Sequence, residues 1–209
     1  MPVRAPLYPV GLVVDGRRCL VVGGGRIAAR KVEGLRSCGA IVHVVAPSVS
    51  DEIKAMTGVT YDERPYERAD LDAMRLVITA TGDPAVDQQI FDECEAAGIW
   101  CNSADDPDRC TFTLPATLRH GPLLVTVSTG GHSPALATWL RDRIRDRVGP
   151  EYEILLEMLS DARGALQAAG VSTEGLDWHK ALDSEMLELI RAGLITEARE
   201  RLRSCLSSS

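Results

Sequence analysis

The first half of the chain alternates short apolar runs with amphipathic stretches. Apolar runs at 20–22, 41–45, 76–80 and 99–102, and a weaker one at 59–62, predict five strands. Segment 26–37 predicts a helix, and Asp83-Pro84 predicts the start of another that continues to about Ala97. Strands that alternate with helices favour a parallel, doubly wound Rossmann-like sheet, which binds ligands beyond the carboxyl ends of its strands.

The pattern changes after Pro107. Apolar stretches at 111–118 and 123–128 flank a turn at 119–122 and predict two paired strands. A helix beginning at Pro134 follows, with an apolar stripe of Leu136, Leu140, Ile144 and Val148. One strand pair and one amphipathic helix are too small to bury their own apolar faces, so we predict a homodimer.

Only helical patterns remain from Glu151 onward, over 152–166, 178–192 and 195–206. The fold class is therefore α/β: a Rossmann-like sheet, then a small α+β dimerisation segment and a helical C-terminal domain. We expect the boundaries of the dinucleotide-binding domain at 1–110, of the dimerisation segment at 111–149 and of the helical domain at 150–209.

A glycine-rich loop joins the first strand to the first helix. Gly23 would make the tight turn, Gly25 would let the backbone approach phosphates, and the small Ala28 would let helix and strand pack closely. A helix N-terminus attracts anions, so this loop predicts a site for the pyrophosphate of a dinucleotide redox cofactor.

Composition narrows the possible partners. The 209 residues are 45% hydrophobic, enough for one good core and a smaller appendage, and the net charge of -7 argues against nucleic acid. We expect no membrane partner, since no apolar run is long enough to cross a bilayer, and we expect a cytoplasmic protein. Six scattered cysteines without CxxC spacing predict reduced thiols, and the isolated His132 predicts no metal site.

Four blocks of sequence, in this order, resemble the precorrin-2 dehydrogenase / sirohydrochlorin ferrochelatase family, the module that also forms the N-terminal part of siroheme synthase. They are Gly23-Gly-Gly-Arg-Ile-Ala-Ala-Arg-Lys31, Thr79-Ala-Thr-Gly-Asp83, Cys101-Asn-Ser-Ala-Asp-Asp-Pro107 and Val127-Ser-Thr-Gly-Gly-His-Ser-Pro134. The resemblance is strong over 7–148 and looser beyond.

The resemblance implies oxidation of precorrin-2 to sirohydrochlorin with NAD+. In some members Fe2+ is then inserted as a substrate to give siroheme. It also implies a tetrapyrrole bound between the subunits of a dimer. The chain lacks the methyltransferase domain of the fused synthase, so substrate would come from a separate uroporphyrinogen-III methyltransferase.

Asp105 is the candidate catalytic residue. It directly follows the fifth strand, where a carboxylate would face the cofactor crevice, and the family's catalytic aspartate aligns with it. A general base there would serve both dehydrogenation and removal of pyrrolic protons. The alternative is that Asp105 or Asp106 caps a turn before Pro107.

Three loops, 23–27, 79–83 and 102–107, are predicted to converge beyond the strand ends. The candidate cofactor-binding residues are Gly23, Gly24, Gly25, Arg26, Ile27, Pro47, Ser48, Thr81 and Asp83. The second strand ends in Ala46-Pro47-Ser48 instead of the acidic residue expected to hold the ribose hydroxyls. The choice between NAD and NADP therefore stays open, with Arg26 as the residue that could meet a 2′-phosphate.

The substrate's carboxylates are expected to meet a second glycine-rich loop and its neighbours. The candidates are Asn102, Arg119, His120, Ser128, Gly130, Gly131, His132 and Ser133. The alternative is a turn in which Ser133 only caps the following helix. Phosphorylation of Ser128 would repel a polyanionic substrate.

Two basic residues of the predicted first helix, Arg30 and Lys31, are most simply solvated charges. A non-catalytic NAD-binding redox sensor could use the same glycine loop without a base, but it would not need the two further loops at 102–107 and 128–134.

Overall fold

The computed structural model describes residues 6–174, 176–182 and 184–207. The chain divides into two compact units. The first comprises the described residues up to Leu114 together with Gly130–Ser133, and the second comprises Pro115–Thr129 and the described residues from Pro134 onward.

The first unit contains a five-stranded parallel sheet with the strand order β3-β2-β1-β4-β5. Its strands are β1 (Arg18–Val22), β2 (Ile41–Ala46), β3 (Thr60–Glu63), β4 (Leu76–Thr79) and β5 (Trp100–Ser103). Its helices are α1 (Arg26–Arg36), α2 (Asp51–Lys54) and α3 (Pro84–Ala97). All five predicted strands are present, and the predicted doubly wound fold is confirmed.

Both faces of the sheet are buried at its central strands β1 and β4, as expected for parallel strands covered by helices. On one face Cys19 and Val21 of β1 pack with α1, which contributes Ala28, Ala29 and Val32. On the other face Leu20 and Val22 pack with Ile90 and Cys94 of α3. Alternating side chains of one strand therefore serve two cores.

Local chemistry sets the limits of α3 as the sequence predicts. Asp83 Oδ1 accepts hydrogen bonds from the amides of Ala85 (2.9 Å) and Val86 (3.4 Å), and Pro84 is the first helical residue. Gly98 ends the helix with φ +68°. Sequence periodicity did not predict α2 or the 3-10 turns at Arg68–Leu71 and Pro107–Arg109, since four residues or fewer are too short to show a period.

The second unit begins with a hairpin and continues as helices. Its elements are β6 (Ala116–His120), β7 (Leu123–Val127), α4 (Pro134–Arg145), α5 (Glu151–Ala168), α6 (Trp178–Ala181), α7 (Ser184–Arg191) and α8 (Ile195–Ser207). The first hairpin strand starts at Ala116 and not at residue 111, because Thr111 is bound to β5. The Thr111 amide donates to Cys101 O and Thr111 Oγ1 accepts from the Cys101 amide, both at 2.8 Å.

The helix predicted over 178–192 consists of two helices, since α6 ends at the C-cap Leu182 and α7 follows. Residues of α5, α7 and α8 share one apolar core, with Met158, Met186 and Leu202 almost fully buried. No helix in the described part of the chain is both long and apolar enough to span a bilayer.

The hairpin and α4 bury little of their own surface. Among their described residues Leu118 and Ala137 are the buried ones. Leu140, Ile144 and Val148 of the predicted stripe are only half-buried, while Leu124 and Trp139 are 43% and 51% exposed.

Candidate dinucleotide and catalytic site

The glycine loop after β1 is built from three glycines with different surroundings. A side chain at Gly23 would collide with the carbonyl of Ala80, and one at Gly24 with the carbonyl of Ser48. Gly25 has nothing within 4 Å of the position that a Cβ would take. The first two glycines thus let the three loops pack together, and the third leaves open space at the start of α1.

The N-terminus of α1 is suited to an anion. Gly25 is the N-cap and provides no capping side chain, and the first turn carries no acidic residue. The first amides of a helix have no partner within it, so these groups can donate to an anion. Arg26 is exposed and Ala28 fully buried there, which matches the close packing predicted from the glycine motif.

The loop after β2 borders the glycine loop directly. The Ser50 amide donates to Gly24 O at 2.9 Å, while Pro47 and Ser48 are exposed. Glu63 of β3 holds this loop, since its Oε1 accepts from the Val49 amide at 3.2 Å and from Lys54 Nζ at 3.0 Å. The hydrogen bond from Lys54, and to a smaller extent the one from the Val49 amide, lowers the pKa of Glu63.

The loop after β4 uses its predicted cofactor side chains for its own structure. Thr81 Oγ1 donates to Asp87 Oδ1 at 2.7 Å and accepts from the Asp83 amide at 3.0 Å. Asp83 caps α3. These side chains therefore shape the loop, and their predicted contact with a cofactor stays a prediction.

Asp105 and Asp106 differ clearly in the structure. Asp106 caps the 3-10 turn by accepting from the Asp108 amide at 2.9 Å, and it pairs with Arg109 at 3.1 Å. Asp105 is exposed, and its carboxylate makes no hydrogen bond or ion pair within the described chain. The turn-capping role left open by the sequence thus belongs to Asp106, and the general-base role of Asp105 stays a prediction.

Lys31 was interpreted as a solvated charge, but the structure places it half-buried on α1. Burial, with the charge of Arg30, lowers the pKa of Lys31, while Cys110 and Asp105 act in the opposite direction. Lys31 thus lies within the electrostatic reach of Asp105. The helical pattern of α1 does not predict this proximity, because the position of Asp105 depends on the path of the chain after β5.

Asn102, predicted to bind substrate, is buried, and its side-chain amide donates hydrogen bonds within the chain. Its Nδ2 donates to Phe112 O at 2.9 Å and to Cys110 Sγ at 3.3 Å, which fixes the chain after β5. Burial raises the pKa of the Cys110 thiol.

The remaining substrate candidates fall in different units. Gly130, Gly131, His132 and Ser133 belong to the first unit, the one that carries the glycine loop and Asp105. Arg119, His120 and Ser128 belong to the second unit. There His120 Nε2 is hydrogen-bonded to Val148 O at 2.9 Å, so its ring connects the hairpin to the chain that follows α4.

Asp87 is a residue that sequence analysis did not single out. It appeared only as a polar position in an amphipathic helix, yet it is 3% exposed and anchors Thr81. Across the described chain, no three or more His, Cys, Asp or Glu side chains group as metal ligands.

The fold and the glycine loop define a dinucleotide-binding α/β protein. A family model described as putative NAD(P)-binding matches residues 10–116, and one described as sirohaem biosynthesis protein central matches 120–147. The chain is 34% identical over 208 residues to the siroheme synthase of Nitrosomonas eutropha, covering 97% of this chain and 44% of that protein. It is 36% identical over 206 residues to that of Thioalkalivibrio sulfidiphilus, covering 96% and 42%.

The chain thus spans less than half the length of these curated relatives. Among solved structures, SirC, a precorrin-2 dehydrogenase, superposes with a TM-score of 0.72 at 27% identity and covers 95% of this chain and 98% of that one. The chain belongs to the precorrin-2 dehydrogenase / sirohydrochlorin ferrochelatase family.

Proposed function

We propose that this protein oxidises precorrin-2 to sirohydrochlorin with NAD+ in siroheme biosynthesis. The observation that carries the proposal is the difference between the two aspartates that follow β5. Asp106 caps its turn and forms an ion pair with Arg109, whereas the Asp105 carboxylate makes no hydrogen bond or ion pair within the described chain. The similarity to SirC supports the same reaction.

The residues present fit a dinucleotide. The open space at Gly25 and the uncapped N-terminus of α1 would receive the pyrophosphate, and the exposed Pro47 and Ser48 border the same loop. NAD+ bound there would supply the hydride acceptor. β2 does not end in an acidic residue that would hold the ribose hydroxyls of NAD. A 2′-phosphate in that place could instead meet Arg26, in the first turn of α1.

Oxidation removes a hydride and a proton, and Asp105 would take the proton. A carboxylate can act as a general base once it lies within hydrogen-bond reach of the substrate. Gly130–Ser133, in the same unit, would bind a carboxylate of the substrate through backbone amides.

The test is anaerobic incubation with enzymatically generated precorrin-2 and NAD+, comparing wild type, Asp105→Asn and Asp106→Asn. We expect NADH and the sirohydrochlorin spectrum from wild type, and a rate at least about 100-fold lower from Asp105→Asn. Asp106→Asn should retain most of its stability and of its rate, because an asparagine Oδ1 can still accept from the Asp108 amide and only the ion pair with Arg109 is lost.

Equal rates for wild type and Asp105→Asn would contradict the assignment of the base. NAD+ binding without any NADH production would instead favour a non-catalytic redox sensor. Adding ferrous iron to the same assay tests siroheme formation, in which Asp105 would remove pyrrolic protons.

We further propose that the active protein is a homodimer, since the hairpin and α4 bury only Leu118 and Ala137 among their own described residues.

A separate uroporphyrinogen-III methyltransferase would supply the substrate. The structure pairs none of the six cysteines, all of which lie in the described chain, in a disulfide, which supports work in a reducing cytoplasm.

A further inference from the structure

Two hydroxyl groups are buried without a partner where β4 and β5 end side by side. Thr79 is 0% and Ser103 5% exposed. Neither Thr79 Oγ1 nor Ser103 Oγ has a hydrogen-bond partner among the described residues. The strands pair in parallel with Thr79 opposite Ser103, so the two side chains lie about 5 Å apart on one face.

That face is the one covered by α3. Val77 and Cys101, two residues earlier on each strand, pack in the same apolar cluster as Ile90 of α3. Side chains alternate along a strand, so Thr79 and Ser103 face α3 as well. They lie at the carboxyl ends of their strands, next to where α3 begins.

Asp87 brings a carboxylate to the same face. It is 3% exposed and shares the buried side of α3 with Ile90 and Cys94. Its Oδ1 accepts from Thr81 Oγ1 at 2.7 Å, and the Asp87 carboxylate makes no other hydrogen bond or ion pair with the described residues. α3 packs against β5, so the buried side of α3 that carries Asp87 faces that strand.

The three side chains are chemically complementary. Two hydroxyls can donate, and the carboxylate has lone pairs left to accept. Buried polar groups in proteins are almost always paired, and a buried water typically makes about three hydrogen bonds to groups of this kind. A single carboxylate with two neutral hydroxyls suits a water better than a cation, which would need more oxygen ligands.

We propose that Thr79, Ser103 and Asp87 together bind one buried water molecule, which fastens the ends of β4 and β5 to the first turns of α3. The water holds the Asp87 carboxylate, Asp87 holds Thr81, and Thr81 Oγ1 holds the Asp83 amide at 3.0 Å. The three residues are thus positioning residues for the loop after β4. That this loop borders the cofactor rests on the proposed function.

The variant Thr79→Val tests the proposal by the direction in which Tm changes, because valine matches the shape of threonine without the hydroxyl. Removing a hydroxyl that has no partner is neutral or stabilising, whereas removing one that binds a water leaves that water and its other partners unpaired. We expect Thr79→Val to lower Tm by about 4 °C, and Thr79→Ser to restore most of that loss. Thr57→Val, at an exposed threonine in the turn after α2 of the same unit, is the matched control and should leave Tm unchanged.

Two further measurements use the full chain without cofactor. Amide hydrogen exchange at 81–83 should become about tenfold faster in Thr79→Val and return towards wild type in Thr79→Ser. A high-resolution crystal structure should show one water within about 3.2 Å of both hydroxyls and of Asp87. An unchanged or raised Tm in Thr79→Val, an empty site, or a cation in place of the water would overturn the inference. Wild-type protein that fails to bind NAD+ would contradict the proposed function and not the water site.

Discussion

At the scale of single residues, the glycine loop separates packing from binding. Gly24 approaches the Ser48 carbonyl so closely that Gly24→Ala must push the loop after β2 away. Overpacking of this kind costs about 1–3 kcal/mol, and a protein of this size loses about 2–4 °C of Tm for each kcal/mol. Thermal melts of the purified variant measure the loss.

Gly25→Ala should behave in the opposite way. With φ -88° and nothing within 4 Å, the position accepts a methyl group without strain. The methyl group would occupy the space through which the pyrophosphate approaches, so NAD+ affinity should fall by about tenfold or more at an unchanged Tm. Calorimetric titration of both alanine variants checks this, and wild-type affinity in Gly25→Ala would mean that the cofactor does not use this loop.

The residue scale also shows the limit of reading a site from sequence. The adjacent Asp105 and Asp106 are alike in a sequence, and only the path of the chain assigns the cap to Asp106. Likewise Asn102 looks like a substrate ligand until its amide is found on Phe112 O. A side chain's hydrogen-bond partners depend on contacts many residues away, which no local pattern contains.

At the scale of elements, periodicity and capping residues predicted four of the five strands, α1 and α3, because each of these carries enough apolar positions to show its period. β3 (Thr60–Glu63) was predicted only from a weaker run, and all four of its residues are exposed. The ends of β6 were wrong, since Thr111 continues the apolar run but is bound to Cys101 of β5. An apolar run shows that residues are buried, but it does not show which strand they pair with.

The 3-10 turn at Arg68–Leu71 allows an element-scale prediction about pH. Asp70 accepts from the Glu67 amide at 2.9 Å and pairs with both terminal nitrogens of Arg64, and the Arg64 bonds lower the pKa of Asp70. A carboxyl whose folded-state pKa is depressed adds stability above its unfolded pKa, which is about 3.9, and loses it as pH falls through the folded-state pKa.

Arg64→Leu should therefore lower Tm by a few degrees at pH 7, and the difference from wild type should shrink steadily below about pH 4. Melts between pH 7 and pH 3 test this. Arg68→Leu is the matched control, because Arg68 is exposed and makes no ion pair with the described residues. A difference that stays constant down to pH 3 would mean that Arg64 stabilises the turn by packing instead of by charge.

At the scale of the whole molecule, the helical group has a core of its own, but the hairpin and α4 do not. Trp139 is 51% exposed, with the Arg143 guanidinium 4.2 Å from its ring centre, and Leu124 is 43% exposed. In the homodimer that we propose, a second copy would cover this apolar surface, since identical patches meet in a two-fold dimer.

Replacing these residues by aspartate should therefore separate the copies. Burying an unpaired carboxylate in an apolar interface costs far more than the interface gains there, so Leu124→Asp and Trp139→Asp should each shift the protein from dimer to monomer. Sedimentation velocity over a range of concentrations measures the shift, with Val13→Asp as the control for an exposed aliphatic residue in the other unit. A wild type that sediments as a monomer would refute the dimer, whereas dimers in all three variants would move the interface to another surface.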